Sequence, residues 1–264
     1  MKVYLTADIE GTTGIVDWSE TELTSTVGAF SREQMTKEVC AACNGANEAS
    51  AESILVKDAH DSARTINPRE LPENVNILRG WAKNPLTMMA GIDKSFDASI
   101  YIGYHSGSSQ DGNPLSHTMN CGYDYIKING DIVSEFIINA YTSLYFGVPV
   151  AFLSGDEMLC ENAKKLFPNI VTVPVSKGIG NASVSIHPNL ALKKIQTGVK
   201  ESLSGDLTRH IIDLPKKFDI EIKFRQHYNA YKSSFYPGVV QVDSQTIRYE
   251  TNDYYEFLRM FFFL

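Results

Sequence analysis

Two apolar runs separated by one long helical pattern constrain the fold more than any other feature of this chain. Lys2 to Asp8 (K-V-Y-L-T-A-D) is β-branched and aromatic, as buried strands are. Ser31 to Ser50 opens with the capping-box form S-R-E-Q and carries Met35, Val39, Ala42, Cys43 and Ala46 on one stripe, which predicts a helix. Ser53 to Asp58 (S-I-L-V-K-D) predicts the next strand. Strand, helix and strand in that order make a βαβ unit with parallel strands and a right-handed crossover.

The alternation continues. Strands are expected at Val75 to Leu78, Ala98 to Tyr104, Pro149 to Leu153 and Ile170 to Val175, with helices near Ser134 to Tyr145 and Glu157 to Leu166. Asn129-Gly130 between Tyr123 to Ile128 and Asp131 to Val133 is a two-residue hairpin signal. The fold class is therefore α/β, a mostly parallel sheet with helices on both faces. After Ser176 the texture changes to one helix, Asn189 to Ser202, and short strands at Phe218 to Phe224, Val239 to Val242 and Thr246 to Tyr249. Residues 1–180 thus read as a catalytic core and 181–264 as a smaller α+β portion, within the same domain or beside it. The tail from Tyr254 to Leu264, after the cap candidate Asn252, is apolar nearly all round and is expected to be buried in its own chain or at a subunit contact.

Composition narrows the function classes. A formal charge of −7, with no basic run longer than a Lys-Lys pair, argues against a nucleic-acid partner. No stretch reaches the apolar length of a membrane span and the N-terminus lacks a signal-peptide pattern, so a cytoplasmic protein without a membrane partner is expected. Cys40 and Cys43 form a C-x-x-C pair inside the helical pattern, where they read as small apolar residues. G-T-T-G at Gly11 to Gly14 has no Gly-Lys-Ser/Thr to make a phosphate loop, and no G-x-S-x-G elbow occurs.

The chemistry lies in five stretches that set metal ligands beside strand-like runs: Asp8 and Glu10 in D-I-E-G, Asp58 and His60 in K-D-A-H, then His105, His117 and Glu135. Side chains two apart share a strand face, and pockets open at the carboxyl ends of parallel strands, so these segments can converge on one crevice. The mixed oxygen and nitrogen set suits Zn²⁺, with Mn²⁺ or Co²⁺ less distinctive. Taken singly, Asp8 also reads as a cap or turn residue and Glu135 as an ordinary acid in a helix's first turn. His187, His210 and His227 lack such acidic companions and read as surface or packing residues.

Together, A-D-I-E-G at Ala7 to Gly11, K-D-A-H at Lys57 to His60, G-Y-H at Gly103 to His105, S-H-T-M at Ser116 to Met119 and E-F-I-I-N-A-Y at Glu135 to Tyr141 resemble the DppA-type D-aminopeptidases. P-V-A-F-L-S-G-D at Pro149 to Asp156 extends the match, which is strong over residues 1–180 and weak beyond them. The resemblance implies a di-zinc metallopeptidase, two Zn²⁺ per chain, in which Asp8 bridges the metals, Glu10, His60, His105 and Glu135 complete the ligand set, and His117 is the catalytic residue. It also implies a homo-oligomeric ring, a decamer, that releases N-terminal D-amino acids from short peptides. His117 acts as acid/base or as nucleophile in that scheme. A two-metal amidase, esterase or phosphoesterase, and a non-catalytic ring-forming protein, are the alternative classes.

Overall fold

The computed structural model describes residues 1–264. Its main sheet has seven strands in the order β3-β2-β1-β4-β7-β8-β9, made by Lys2–Ala7 (β1), Ser53–Asp58 (β2), Val75–Leu78 (β3), Ala98–Tyr104 (β4), Val150–Asp156 (β7), Val171–Ile179 (β8) and Ala182–Ser185 (β9). All neighbours are parallel except β9, which folds back antiparallel on β8. Strand order reverses at β1, with β2 on one side and β4 on the other, so a crevice opens at the carboxyl ends of this central pair.

Helices cover both faces, and strand alternation decides which side chains meet them. Val3, Leu5 and Ala7 of β1 and Ile100 and Ile102 of β4 point into a core closed by α1 (Ala29–Glu48) and α4 (Pro188–Ser202). Tyr4, Tyr101 and Tyr104 point the other way, against α2 (Glu135–Tyr145), α3 (Glu157–Leu166) and α6 (Tyr254–Phe263). Each Leu, Ile or Phe that is fully covered contributes on the order of 1.5–3 kcal/mol.

A second, antiparallel sheet extends that second core. Its order is β11-β12-β10-β5-β6, from Tyr123–Ile128 (β5), Asp131–Ile132 (β6), Phe218–Phe224 (β10), Val240–Gln241 (β11) and Thr246–Thr251 (β12). Asn129 and Gly130, at φ +54° and +92°, make the expected tight turn of its hairpin. This sheet joins strands from both sides of residue 180, and that position lies in the turn between β8 and β9. Pairing of β10 with β5 therefore ties the C-terminal strands to the catalytic half.

Two local readings change. Helix α1 begins at Ala29 with Gly28 as its cap, so Ser31 is a buried helical residue and no capping box forms. Arg32 reaches back to the carbonyls of Glu22 and Ser25 at 3.0 Å each and secures that end. Asp253, not Asn252, caps α6, its carboxylate accepting the Tyr255 N–H at 2.9 Å. Tyr254, Phe257, Leu258 and Met260 of the aromatic tail are buried in their own chain, while Phe261, Phe262 and Leu264 are half-buried and Phe263 is exposed. The short helix α5 (His227–Ser233) and strand β9 are additional elements. No helix is long and apolar enough to cross a membrane.

Candidate metal centre

The crevice at the β1/β4 switch collects the expected ligands. Asp8 follows β1, His60 lies two residues past β2, His105 follows β4, and Glu135 is the first residue of α2. The chain reaches this packing through close backbone approach: a Cβ on Gly11 would sit 1.7 Å from the Tyr104 carbonyl oxygen, and Gly103, at φ +71°, would bring one within 2.3 Å of the Asp8 carbonyl. Asp8, Glu10, His60, His105 and Glu135 are all buried.

Two adjoining groups emerge, with Asp8 in both. His60 Nδ1 is 3.2 Å from Asp8 Oδ1 and 3.2 Å from Glu10 Oε2. His105 Nε2 is 3.5 Å from Asp8 Oδ2 and 3.7 Å from Glu135 Oε1. His117 adjoins the second group, its Nε2 3.4 Å from Glu135 Oε1 and its ring stacked on His105 at 4.4 Å. By distance alone His117 is also within reach of an ion held by His105 and Glu135. Asp58, which shares a stretch with His60, stays out of the cluster; its Oδ2 accepts the Ile66 N–H at 2.8 Å and holds the turn after the ligand.

Each imidazole is oriented by a main-chain carbonyl. His60 Nε2 is 3.0 Å from the Thr21 oxygen, His105 Nδ1 2.9 Å from that of Ser106, and His117 Nδ1 2.9 Å from that of Leu115. A ring that donates its N–H there turns the lone pair of its other nitrogen inward, toward the carboxylates. Lone pairs facing carboxylates are repulsive unless a cation stands between them. Glu10 Oε2 and His105 Nε2 accordingly lie buried without any hydrogen-bond partner, so the donor set fits metal ions in both chemistry and geometry.

Protonation in the ion-free chain says the same. Burial disfavours charged imidazole, yet Glu10 and Asp8 outweigh it at His60 and push its pKa to about 11, and Glu135 with Asp8 takes His105 to about 10. Burial raises Glu135 to about 8 against the pull of His105. It also works to raise Asp8, but the His105 and His60 imidazoles prevail and hold that carboxyl well below its usual range. Protons thus occupy the positions that metal ions would take. His117 differs: burial, then the neighbouring positive His105, holds it below the ordinary imidazole range.

Supporting residues appear that motif reading did not assign. Asp156, at the end of β7, accepts the Ser106 N–H and Oγ–H, both at 2.6 Å, and so fixes the carbonyl that orients His105. It too ends a parallel strand, the placement that marks Asp8. Asn113 in the loop before His117 donates to the Glu10 carbonyl at 3.0 Å, and the Met119 N–H donates to Glu135 Oε1 at 2.6 Å. Of the remaining histidines, His210 is buried with Nε2 2.9 Å from the Ser202 carbonyl, and His187 caps α4, as packing and surface roles require.

Known proteins are similar to this chain in sequence and in fold. A D-aminopeptidase of Bacillus subtilis (strain 168) is 26% identical over 260 residues, spanning 97% of this chain and 93% of that protein. A solved structure described as the Zn-dependent D-aminopeptidase DppA from Bacillus subtilis, a self-compartmentalizing protease, matches in fold with a TM-score of 0.91 at 24% identity, covering 99% of this chain and 95% of that one. Similarity therefore runs through the C-terminal portion, where motifs are sparse. The sequence profile of the peptidase M55 family, described as D-aminopeptidase, matches residues 1–263, and the chain belongs to that family.

Proposed function

We propose that the chain is a zinc-dependent aminopeptidase that releases N-terminal D-amino acids from short peptides, with two ions per chain. The observation that carries this reading is Asp8, whose two carboxylate oxygens face different imidazoles, Oδ1 toward His60 and Oδ2 toward His105. One carboxylate divided in this way is suited to bridging two cations, with Glu10 completing the first group and Glu135 the second. Zinc in such a site supplies Lewis acidity toward the scissile carbonyl and brings the pKa of water down toward about 7.

The protein's own groups handle the proton. His117, held neutral by burial and fixed by the Leu115 carbonyl, presents Nε2 to the centre of the site. There it takes a proton from the attacking water and returns it to the leaving amine nitrogen as the C–N bond breaks. The cavity beside the ligands is about 180 Å³, which supports a short substrate rather than a folded protein.

Self-assembly belongs to the same reading. The solved relative is described as self-compartmentalizing, and this chain exposes Tyr228, Tyr231 and Phe235 on and just beyond α5, which a partner copy would cover. A ring of ten is the expected form, and light scattering measures it.

The deciding experiment combines metal analysis of the purified protein with hydrolysis of D-alanyl and L-alanyl p-nitroanilide before and after chelation. Two zinc ions per chain and chelator-sensitive turnover of the D-substrate are expected. Turnover of phosphate or ester substrates with none of D-alanyl amides would overturn the assignment.

A further inference from the structure

The cavity beside the metal centre has an apolar side made by Ala59, Trp81, Met88 and Met119. Trp81 is 38% exposed, yet its ring is clamped. Its indole N–H donates to the Asp61 carbonyl at 2.7 Å, and the Lys57 ammonium lies 4.5 Å from the ring centroid on one face. Lys57 is itself buried and donates to the carbonyls of Asp58 at 2.6 Å and Gly80 at 2.8 Å, with no carboxylate within salt-bridge distance. An ammonium taken out of water with no carboxylate in direct contact is costly to bury, and its place over the ring adds a cation–π contact that helps hold the indole.

The backbone around the clamp points the same way. Asp61, Ala63, Lys83 and Thr87 all lie at φ between +46° and +55°, a region that non-glycine residues seldom occupy. These four flank Trp81 in the two segments that make the wall. Strain of this kind persists where surrounding structure holds it, and it gathers at ligand-facing sites.

We propose that Trp81 determines specificity: its clamped ring is the wall against which the side chain of the substrate's N-terminal residue packs, and it limits the size of that side chain. The proposal rests on the aminopeptidase reading above. With the amino end and scissile carbonyl directed at the ligands, the apolar side formed by Trp81, Ala59, Met88 and Met119 is the face left to receive the side chain of the N-terminal residue. Lys57 acts through the ring as a positioning residue.

The test compares kcat/KM for D-alanyl and D-leucyl p-nitroanilide in the wild type, Trp81→Ala and Trp81→Phe. The wild type should favour D-alanyl, and Trp81→Ala should move the ratio at least about tenfold toward D-leucyl, the scale at which apolar pockets discriminate, with Trp81→Phe between them. Lys57→Met should raise KM for D-alanyl with kcat largely kept. Equal losses on both substrates in Trp81→Ala, with the ratio unchanged, would make the ring structural and overturn the proposal.

A second measurement does not depend on turnover. The chain has only two tryptophans, so Trp18→Phe leaves Trp81 as the sole indole reporter. Titrating the zinc-loaded protein with free D-alanine should shift its emission saturably, and no shift would count against the wall. If the wild type cleaves neither anilide, the aminopeptidase reading fails while this titration still decides whether Trp81 lines a ligand site.

Discussion

The two arms of the metal centre share Asp8 and differ in origin and charge. The His60 arm comes from the ends of adjacent strands β1 and β2 and sets two carboxylates around one imidazole. The His105 arm draws on a strand end, a loop and a helix start, and sets Glu135 between two imidazoles. An arm rich in carboxylate is built to hold a cation. An arm with a second, less basic imidazole can hold a cation and still move a proton. In the proposed reading, binding and chemistry are divided across one aspartate.

Breaking the shared residue should have the largest effect. Asp8→Ala removes a ligand from both arms, so both ions should be lost and turnover should fall on the order of 10⁴-fold or more, as for groups that act as a unit. Metal analysis beside kinetics checks this, and retention of two ions with full activity would dissolve the comparison.

His117→Ala tests the division itself. Turnover should fall by about 10²–10⁴-fold while both ions stay. A lost ion would make His117 a ligand of the second arm, which its distance from Glu135 permits. The same residue predicts an acid limb in the wild-type kcat/KM profile. Its pKa is held below the usual range, so the imidazole is neutral at pH 7 and activity is lost as pH falls through that pKa.

A smaller effect is expected from Asp156→Ala, which frees the Ser106 carbonyl behind His105. Zinc affinity of the second arm alone should weaken by about 10–100-fold, the usual cost of removing an outer-shell partner. Competition with a coloured chelator would resolve one weakened site and one unchanged site. The smallest signal is the proton count: zinc loading at pH 7 should release about two to three protons per chain, from His60, His105 and Glu135. Calorimetry in buffers of different ionisation enthalpy measures it.

Much of this clustering is legible in the sequence. Ligands at the ends of parallel strands announce themselves because the run into each, such as K-V-Y-L-T-A-D or A-S-I-Y-I-G-Y, is strongly strand-like. The residues that orient them were not legible. Thr21, Ser106 and Leu115 act through carbonyl groups, which every residue has, so their identity carries no signal. Asp156 could have been found by the rule that found Asp8. Helix α5 was hidden by its seven-residue length and its poor helix formers, and β9 by its four-residue length, in which Val184 is the one strong strand former. The start of α1 was misread because S-R-E-Q imitates a cap that Gly28 supplies three residues earlier.

Those three carbonyl anchors have an evolutionary consequence. A tether made by the main chain does not itself depend on the side chain at its own position, although Ser106 also donates its Oγ–H to Asp156 and Leu115 is part of the core. A single inserted or deleted residue is another matter, since it moves the carbonyl away from its ring. Loop length, rather than loop sequence, is what descent must preserve around this centre, and relatives that keep all six acid and imidazole side chains but differ in these spacings should be the ones that have lost the activity.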